Sequence, residues 1–95
     1  MKKFIILIPI YNDRQSLTKL IENINSELKD LNSYVSIIVV NDASSEQIMD
    51  NYPNTENIKS IEIINMKQNR GHARCIASGL KYIYEKKEFD YVIPM

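Results

Sequence analysis

Four short, mainly apolar runs, of which the first is apolar throughout, alternate along the chain with segments whose apolar residues recur at helical spacing. The runs are rich in isoleucine and valine and cover residues 4–10, 34–40, 60–66 and 91–95. A continuous apolar run is typical of a strand that is covered on both faces, as in a parallel sheet. Because such strands alternate here with helical segments, the sequence predicts an α/β fold with a parallel sheet and right-handed crossovers.

The segments between these runs predict two long helices and a short one. The apolar positions of the first helix, about four turns long, are Leu17, Leu20, Ile21, Ile24, Leu28 and Leu31. Asn12, Asp13 or Ser16 could cap its start through a side-chain oxygen. The apolar face of the second long helix comprises Ala73, Ile76, Ala77, Leu80, Ile83 and Tyr84. A short helix is predicted over residues 46–52, ended by Pro53 and Asn54.

Balanced charge and a single cysteine restrict the function classes. Lysine plus arginine and aspartate plus glutamate each number 12, so the formal net charge is zero. This balance argues against a nucleic-acid surface, which needs clustered positive charge. With Cys75 as the only cysteine, no disulfide can form within the chain, which favours a reducing, cytoplasmic compartment. No apolar run approaches the roughly 20 residues that span a bilayer.

Polar side chains follow the predicted strands at the points where they end. They are Tyr11, Asn12 and Asp13 after the first strand, Asn41 and Asp42 after the second, and Asn69, Arg70 and Gly71 after the third. Ligands of open parallel sheets bind at the carboxyl ends of the strands, so we expect these residues at one edge. Gly71 and Gly79 are the only glycines, which leaves no P-loop or dinucleotide fingerprint. A divalent cation would be the natural substitute at a diphosphate, but it needs carboxylates, and none follows the fourth strand.

Four segments, in order, resemble the landmarks of family 2 glycosyltransferases. Residues 8–13 (IPIYND) are similar to the P-x-Y-N-E opening of the family, and residues 39–44 (VVNDAS) to its V-V-D-D-G-S segment. Residues 69–79 resemble N-x-G-x-x-x-A-x-N-x-G, and residues 90–95 (DYVIPM) the strand that runs into the D-x-D metal motif. The resemblance covers nearly the whole chain. It implies the nucleotide-binding half of a GT-A fold, a Rossmann-like three-layer sheet of about four parallel strands in the order 3-2-1-4 with flanking helices.

The resemblance also implies which residues bind a nucleotide. They are Pro9, Tyr11, Asp13, Val40, Asp42 and Arg70. Pro9 and Tyr11 would line the nucleobase pocket, and Asp13 stands where the family usually has glutamate. Asp42 would accept a charge-assisted hydrogen bond from a ring N–H, which selects uracil or guanine. Arg70 would lie at the diphosphate edge, where a guanidinium fork suits phosphate oxygens.

The implied reaction is transfer of a sugar from a UDP- or GDP-linked donor to an acceptor saccharide or lipid, as in cell-wall or polysaccharide biosynthesis. Magnesium or manganese would neutralise the leaving diphosphate in the parent protein, but no residue of this chain is assigned as a metal ligand or a catalytic residue. Residues 1–95 would be a partial domain that ends before the D-x-D acids and is inactive alone. A bare edge at the fourth strand predicts self-association. Membrane association through sequence after Met95 is left open.

Plain structural roles compete with these assignments. Asp13 and Asp42 could each be only a helix cap, and Arg70 a solvated turn residue. His72 fits a surface position at a helix start, and Cys75 is predicted as a small buried or half-buried helix residue. Two other function classes also fit an open sheet: a receiver-like signalling module and a non-catalytic nucleotide-binding or protein-interaction domain. Titration with UDP, GDP and acetyl phosphate would separate these classes.

Overall fold

The computed structural model describes residues 2–45, 52 and 55–95. Its elements are, in chain order, β1 (Lys3–Ile10), α1 (Arg14–Glu27), β2 (Tyr34–Asn41), β3 (Ser60–Asn65), α2 (His72–Lys86) and β4 (Tyr91–Pro94). Neighbouring strands pair in parallel in the order β3-β2-β1-β4. This topology confirms the predicted Rossmann-like α/β fold and the strand order 3-2-1-4. The short helix predicted over residues 46–52, and its end at residues 53–54, lie outside the described residues except for Tyr52.

Helices cover both faces of the sheet, which explains why β1 is a continuous apolar run and why β2 is mainly apolar. One face packs against α1 through a buried cluster that contains Ile8, Ile10, Leu17, Ile21, Ile37 and Val39. The other face packs against α2 through Ile5, Leu7, Ile38, Val40, Cys75 and Ile83. Successive strand residues point to opposite faces, so a strand with two covered faces needs apolar side chains at nearly every position.

Helix α1 is capped by one of the residues that the sequence suggested. The Asp13 carboxylate accepts a hydrogen bond from the backbone N–H of Ser16 at 3.4 Å. The helix runs for 14 residues, close to the predicted four turns, and its C-cap is Leu28. The prediction that Leu31 belongs to its apolar face is wrong. Because the chain has left the helix before Leu31, helical spacing no longer directs that side chain to the sheet, and it is exposed.

Helix α2 approaches the sheet closely at Gly79, which is buried. A Cβ atom at this position would lie 2.5 Å from Leu7 Cδ1 and 3.0 Å from Val40 Cγ2. Glycine therefore allows a separation between helix and sheet that any other residue would increase. The prediction that Ala73, Ala77 and Tyr84 belong to the apolar face of this helix is wrong, because all three are exposed. The face toward the sheet is instead formed around the buried residues Cys75, Gly79 and Ile83.

Candidate functional site

Strands β1, β2 and β3 end in register at the carboxyl edge of the sheet. Ile10 pairs with Asn41, and Asn41 pairs with Asn65. The register continues one residue further, where Asp42 N–H donates to the Ile10 carbonyl at 2.8 Å and Met66 N–H donates to the Asn41 carbonyl at 2.8 Å. The polar segments that follow β1, β2 and β3 therefore start side by side.

Side-chain hydrogen bonds join the segment after β1 to the segment after β2. Asn12 N–H donates to Ser44 Oγ at 2.9 Å, and Asn12 Oδ1 accepts from Ser45 N–H at 2.7 Å. Asn12 and Ala43 have positive φ angles of 48° and 58°. Asparagine tolerates this left-handed region better than most residues. The two segments thus form one connected rim.

Asn41 stands where the V-V-D-D-G-S segment has its first aspartate. Its side-chain amide bonds to Asn65 at the end of β3 and to Ser44 in the segment after β2. Its Oδ1 accepts from Ser44 N–H at 3.1 Å, while its Nδ2 donates to Asn65 Oδ1 at 3.0 Å. A carboxylate has no donor and could not make the second bond. The side chain is buried, so an amide, which can both donate and accept, suits this position.

Asp42 is a buried carboxyl group at this edge, with 4% of its surface exposed. Its Oδ1 accepts from Arg70 N–H at 2.7 Å and its Oδ2 accepts from Gly71 N–H at 2.9 Å. The bond from Arg70 holds the pKa of Asp42 below its usual value, against the opposing effect of burial and with help from the bonds of Gly71 and Cys75. The carboxyl group is therefore ionised at neutral pH.

A small cavity of about 90 Å³ opens beside Asp42. Its lining residues are Pro9, Ile10, Tyr11, Asp42, His72 and Cys75. Tyr11 is 53% exposed and leaves much of its ring accessible. The cavity thus combines one buried anionic acceptor with an aromatic ring and apolar walls. Such a set can hold a flat, partly apolar ligand that carries a hydrogen-bond donor.

The cavity contains three of the six residues that the resemblance implied, namely Pro9, Tyr11 and Asp42. Val40 is fully buried in the cluster under α2. Asp13 is exposed at the start of α1, where it serves as the N-cap. Arg70 is exposed, with its backbone bonded to Asp42, and its side chain is not part of the cavity wall.

Three lining residues were not proposed as site residues from the sequence: Ile10, His72 and Cys75. The spacing of His72 and Cys75 in the sequence could have indicated that they lie together, because residues three apart on a helix share a face. Cys75 is fully buried, as predicted for a buried helix residue. Burial first, and then the Asp42 carboxylate, raise the pKa of its thiol to about 11. It therefore contributes a neutral, weakly polar wall.

A larger hollow of about 360 Å³ lies at the opposite, amino edge of the sheet. Its charged lining is largely paired, because Lys87 contacts Glu62 at 2.8 Å and Lys3 contacts Glu88 at 3.5 Å. Tyr82 also donates to Glu62 at 2.7 Å. These contacts occupy the charged groups of Lys3, Glu62 and Lys87, so they are less available to a ligand. Ligands of open parallel sheets also bind at the other, carboxyl edge.

Within residues 2–45, 52 and 55–95, no three histidine, cysteine, aspartate or glutamate side chains converge in a way that could hold a metal ion. The described carboxylates therefore do not fit the divalent metal that the family resemblance implies. No helix in this part of the chain is long and apolar enough to cross a membrane.

The comparison that decides the family is a match between residues 5–95 and the family described as Glycosyl transferase family 2. The chain belongs to this family. Membership confirms the resemblance carried by the four sequence landmarks and supports a role in glycosyl transfer. No curated protein and no solved structure matches the chain.

Proposed function

We propose that this family 2 chain is the nucleotide-binding part of a glycosyltransferase that uses a UDP- or GDP-linked sugar donor. The acceptor would be a saccharide or a lipid, in the synthesis of a cell-wall or other polysaccharide. The observation that supports this proposal most directly is the ionised, buried Asp42 carboxylate beside Pro9 and Tyr11 in one cavity at the carboxyl edge.

The base would be recognised through its ring N–H. Uracil and guanine each carry such a donor, whereas adenine and cytosine present a ring acceptor at the corresponding position. Each Asp42 oxygen already accepts one backbone N–H, but a carboxylate has about four acceptor sites. A remaining site could take the base N–H, and a base without that donor would leave a desolvated carboxylate unsatisfied. The Tyr11 ring would pack against the base.

The other implied positions would contact the rest of the nucleotide. Arg70 would pair with the diphosphate, since its side chain is exposed and its backbone N–H is bonded to the Asp42 carboxylate. Asp13 would contact the ribose or the base from the start of α1, and Val40 would support the pocket from the end of β2. The roles of the exposed residues Arg70 and Asp13 predict a loss of nucleotide affinity on substitution without loss of the fold.

The metal and the catalytic acids are proposed to come from outside this chain. The described residues provide no group of three or more possible metal ligands, and none is assigned a catalytic role. We therefore expect purified residues 1–95 to transfer no sugar from either donor. The measurement is release of UDP or GDP from the corresponding sugar donor in the presence of magnesium or manganese. Turnover that scales with the concentration of the purified chain would contradict this expectation.

The nucleotide proposal is tested by titrating the chain with UDP, GDP, ADP, CDP and acetyl phosphate while recording amide NMR spectra. We expect UDP or GDP to shift the amides of Tyr11 and Asp42 and to bind at least tenfold more tightly than ADP or CDP. A tenfold preference corresponds to about 1.4 kcal/mol, within the range of one buried charged hydrogen bond. Equal binding of all four diphosphates, or a response to acetyl phosphate alone, would sink the proposal.

Self-association is a second expectation, because an edge strand exposes apolar side chains. In the described part of the chain β4 pairs with β1 alone, and Tyr91, Ile93 and Met95 are between 44% and 50% exposed. Light scattering during gel filtration should show a mass that rises with concentration. Ile93→Lys should reduce the association, because a charge on an edge strand opposes pairing. Tyr84→Lys, on the exposed face of α2, is the matched control. A monomer at every concentration would refute the expectation.

The remaining partner and location proposals rest on composition. Zero formal net charge argues against the clustered positive charge that a nucleic-acid surface needs, so we propose that nucleic acid is not a partner. The single thiol at Cys75 is unpaired and buried, in keeping with a reducing compartment, and we propose a cytoplasmic location.

A further inference from the structure

Asp42 connects chain segments that are far apart in sequence. Its carboxylate bonds to two consecutive backbone N–H groups, of Arg70 and Gly71, that lie 28 and 29 residues further along the chain. The Asp42 carbonyl also accepts from Asn69 Nδ2 at 3.4 Å. One residue at the end of β2 therefore contacts each residue of the turn 69–71, which leads into α2.

This turn has little local support of its own. Gly71 is the N-cap of α2, and as glycine it offers no side chain to bond the first N–H groups of the helix. Its φ angle of 91° lies in the region that favours glycine. The first N–H groups of a helix and its positive dipole end are stabilised by a nearby anion. Asp42 places its carboxylate beside this end of α2 by bonding the two N–H groups that directly precede the helix, those of Arg70 and Gly71.

We propose that Asp42 is a positioning residue, whose carboxylate holds the turn 69–71 and thereby fixes the backbone of Arg70 and the position of His72, which lines the cavity. The consequence for the ligand rests on the proposed nucleotide function, but the positioning itself does not. The group that would receive the base also orders the turn that carries the proposed phosphate-binding arginine. The two halves of the nucleotide site are thus coupled through one side chain.

The charge and the symmetry of the carboxylate are both needed for this role. An ionised carboxylate presents two equivalent acceptors and can bridge two adjacent N–H groups. An asparagine amide has the same shape but presents one acceptor and an NH₂ group, which would face an N–H. Asp42→Asn should therefore open the turn while leaving the apolar layers of the sheet intact.

Amide hydrogen exchange measured by NMR on the ligand-free chain tests the proposal. In Asp42→Asn we expect the Arg70 and Gly71 amides to exchange at least tenfold faster than in the unmodified chain. Amides in the centre of β1 and β2 should keep their exchange rates. Asp13→Asn, which alters an exposed cap elsewhere at the same edge, is the matched control and should leave the turn unchanged. Unaltered protection of Arg70 and Gly71 in Asp42→Asn would overturn the proposal.

A pH titration of the unmodified chain gives a second test that does not depend on folding of a variant. The titratable side chains that share the cavity with Asp42 are Tyr11, His72 and Cys75, and none is a carboxyl group; Arg70 adjoins it through the turn. The pKa of Asp42 lies below its ordinary value of 3.8. The bonded turn should therefore persist when the pH reaches the ordinary pKa of an aspartate, and be lost as the pH falls further, through the folded pKa.

In that titration, the Arg70 and Gly71 amide signals should move with the same midpoint as the Asp42 carboxyl carbon. Independent midpoints would overturn the proposal. Because no nucleotide is present in either experiment, failure of the nucleotide titration would refute the proposed function and leave the positioning role standing. Failure of the exchange and pH experiments would refute the positioning role and leave the proposed nucleotide function standing.

Discussion

Replacing Tyr11 with alanine is expected to weaken binding of the preferred nucleoside diphosphate by roughly 5- to 140-fold. The ring borders the cavity beside Asp42 and is 53% exposed, so it can cover one face of a bound base. Stacking of a base on an aromatic side chain contributes about 1–3 kcal/mol, and each 1.4 kcal/mol is roughly tenfold in affinity. The dissociation constant can be measured by calorimetry or by amide NMR shifts.

The control for this experiment is Tyr84→Ala, on α2 and outside the cavity. Tyr84 is 70% exposed, so both substitutions remove a surface tyrosine, and this variant should bind the nucleotide like the unmodified chain. Tyr11→Ala should change the free energy of unfolding by no more than about 0.5 kcal/mol, as is usual for exposed positions. Equal losses of affinity in the two variants, or no loss in Tyr11→Ala, would remove Tyr11 from the proposed site.

Gly79→Val is expected to lower the free energy of unfolding by about 1–3 kcal/mol, the usual cost of inserting atoms into a packed core. The first added atom would lie 2.5 Å from Leu7 Cδ1. Leu7 is itself fully buried between the sheet and α2, so it has little room to move. The higher helix propensity of valine offsets well under 1 kcal/mol of this cost. Urea unfolding followed by circular dichroism measures the change.

Ala77→Val is the matched control, two residues earlier on the same helix. Ala77 is exposed, so the same branched side chain meets solvent there and should change stability by about 0.5 kcal/mol or less. A Gly79→Val chain as stable as Ala77→Val would show that α2 can move away from the sheet without cost. For a domain of this size each 1 kcal/mol corresponds to about 4–8 °C in Tm, so the two variants should also separate in thermal melts.

The architecture could be predicted from the sequence because it depends on local pattern. The apolar run at 4–10 and the mainly apolar run at 34–40 indicate strands with two covered faces, and the helical repeats between the runs provide the covers. Chirality and short connections then leave few arrangements of such units. The motif around Pro9 and Tyr11, together with Asp42, predicted three residues that line one cavity. The end of α1 was placed too late, at Leu31, since helical spacing does not mark where a chain leaves a helix.

The partners of each polar group were decided only by the tertiary structure. Nothing in the local sequence around Asp42 specifies that its two oxygens bond the backbone of Arg70 and Gly71, because those N–H groups are common to all sequences. Cys75 and His72 reach the cavity only because α2 starts beside the end of β2. The sequence by itself determined the layers and the edge where chemistry is possible, since apolar periodicity is a local property. The long-range packing decided which atoms meet there, since hydrogen bonds between distant segments depend on register and on the close approach that Gly79 permits.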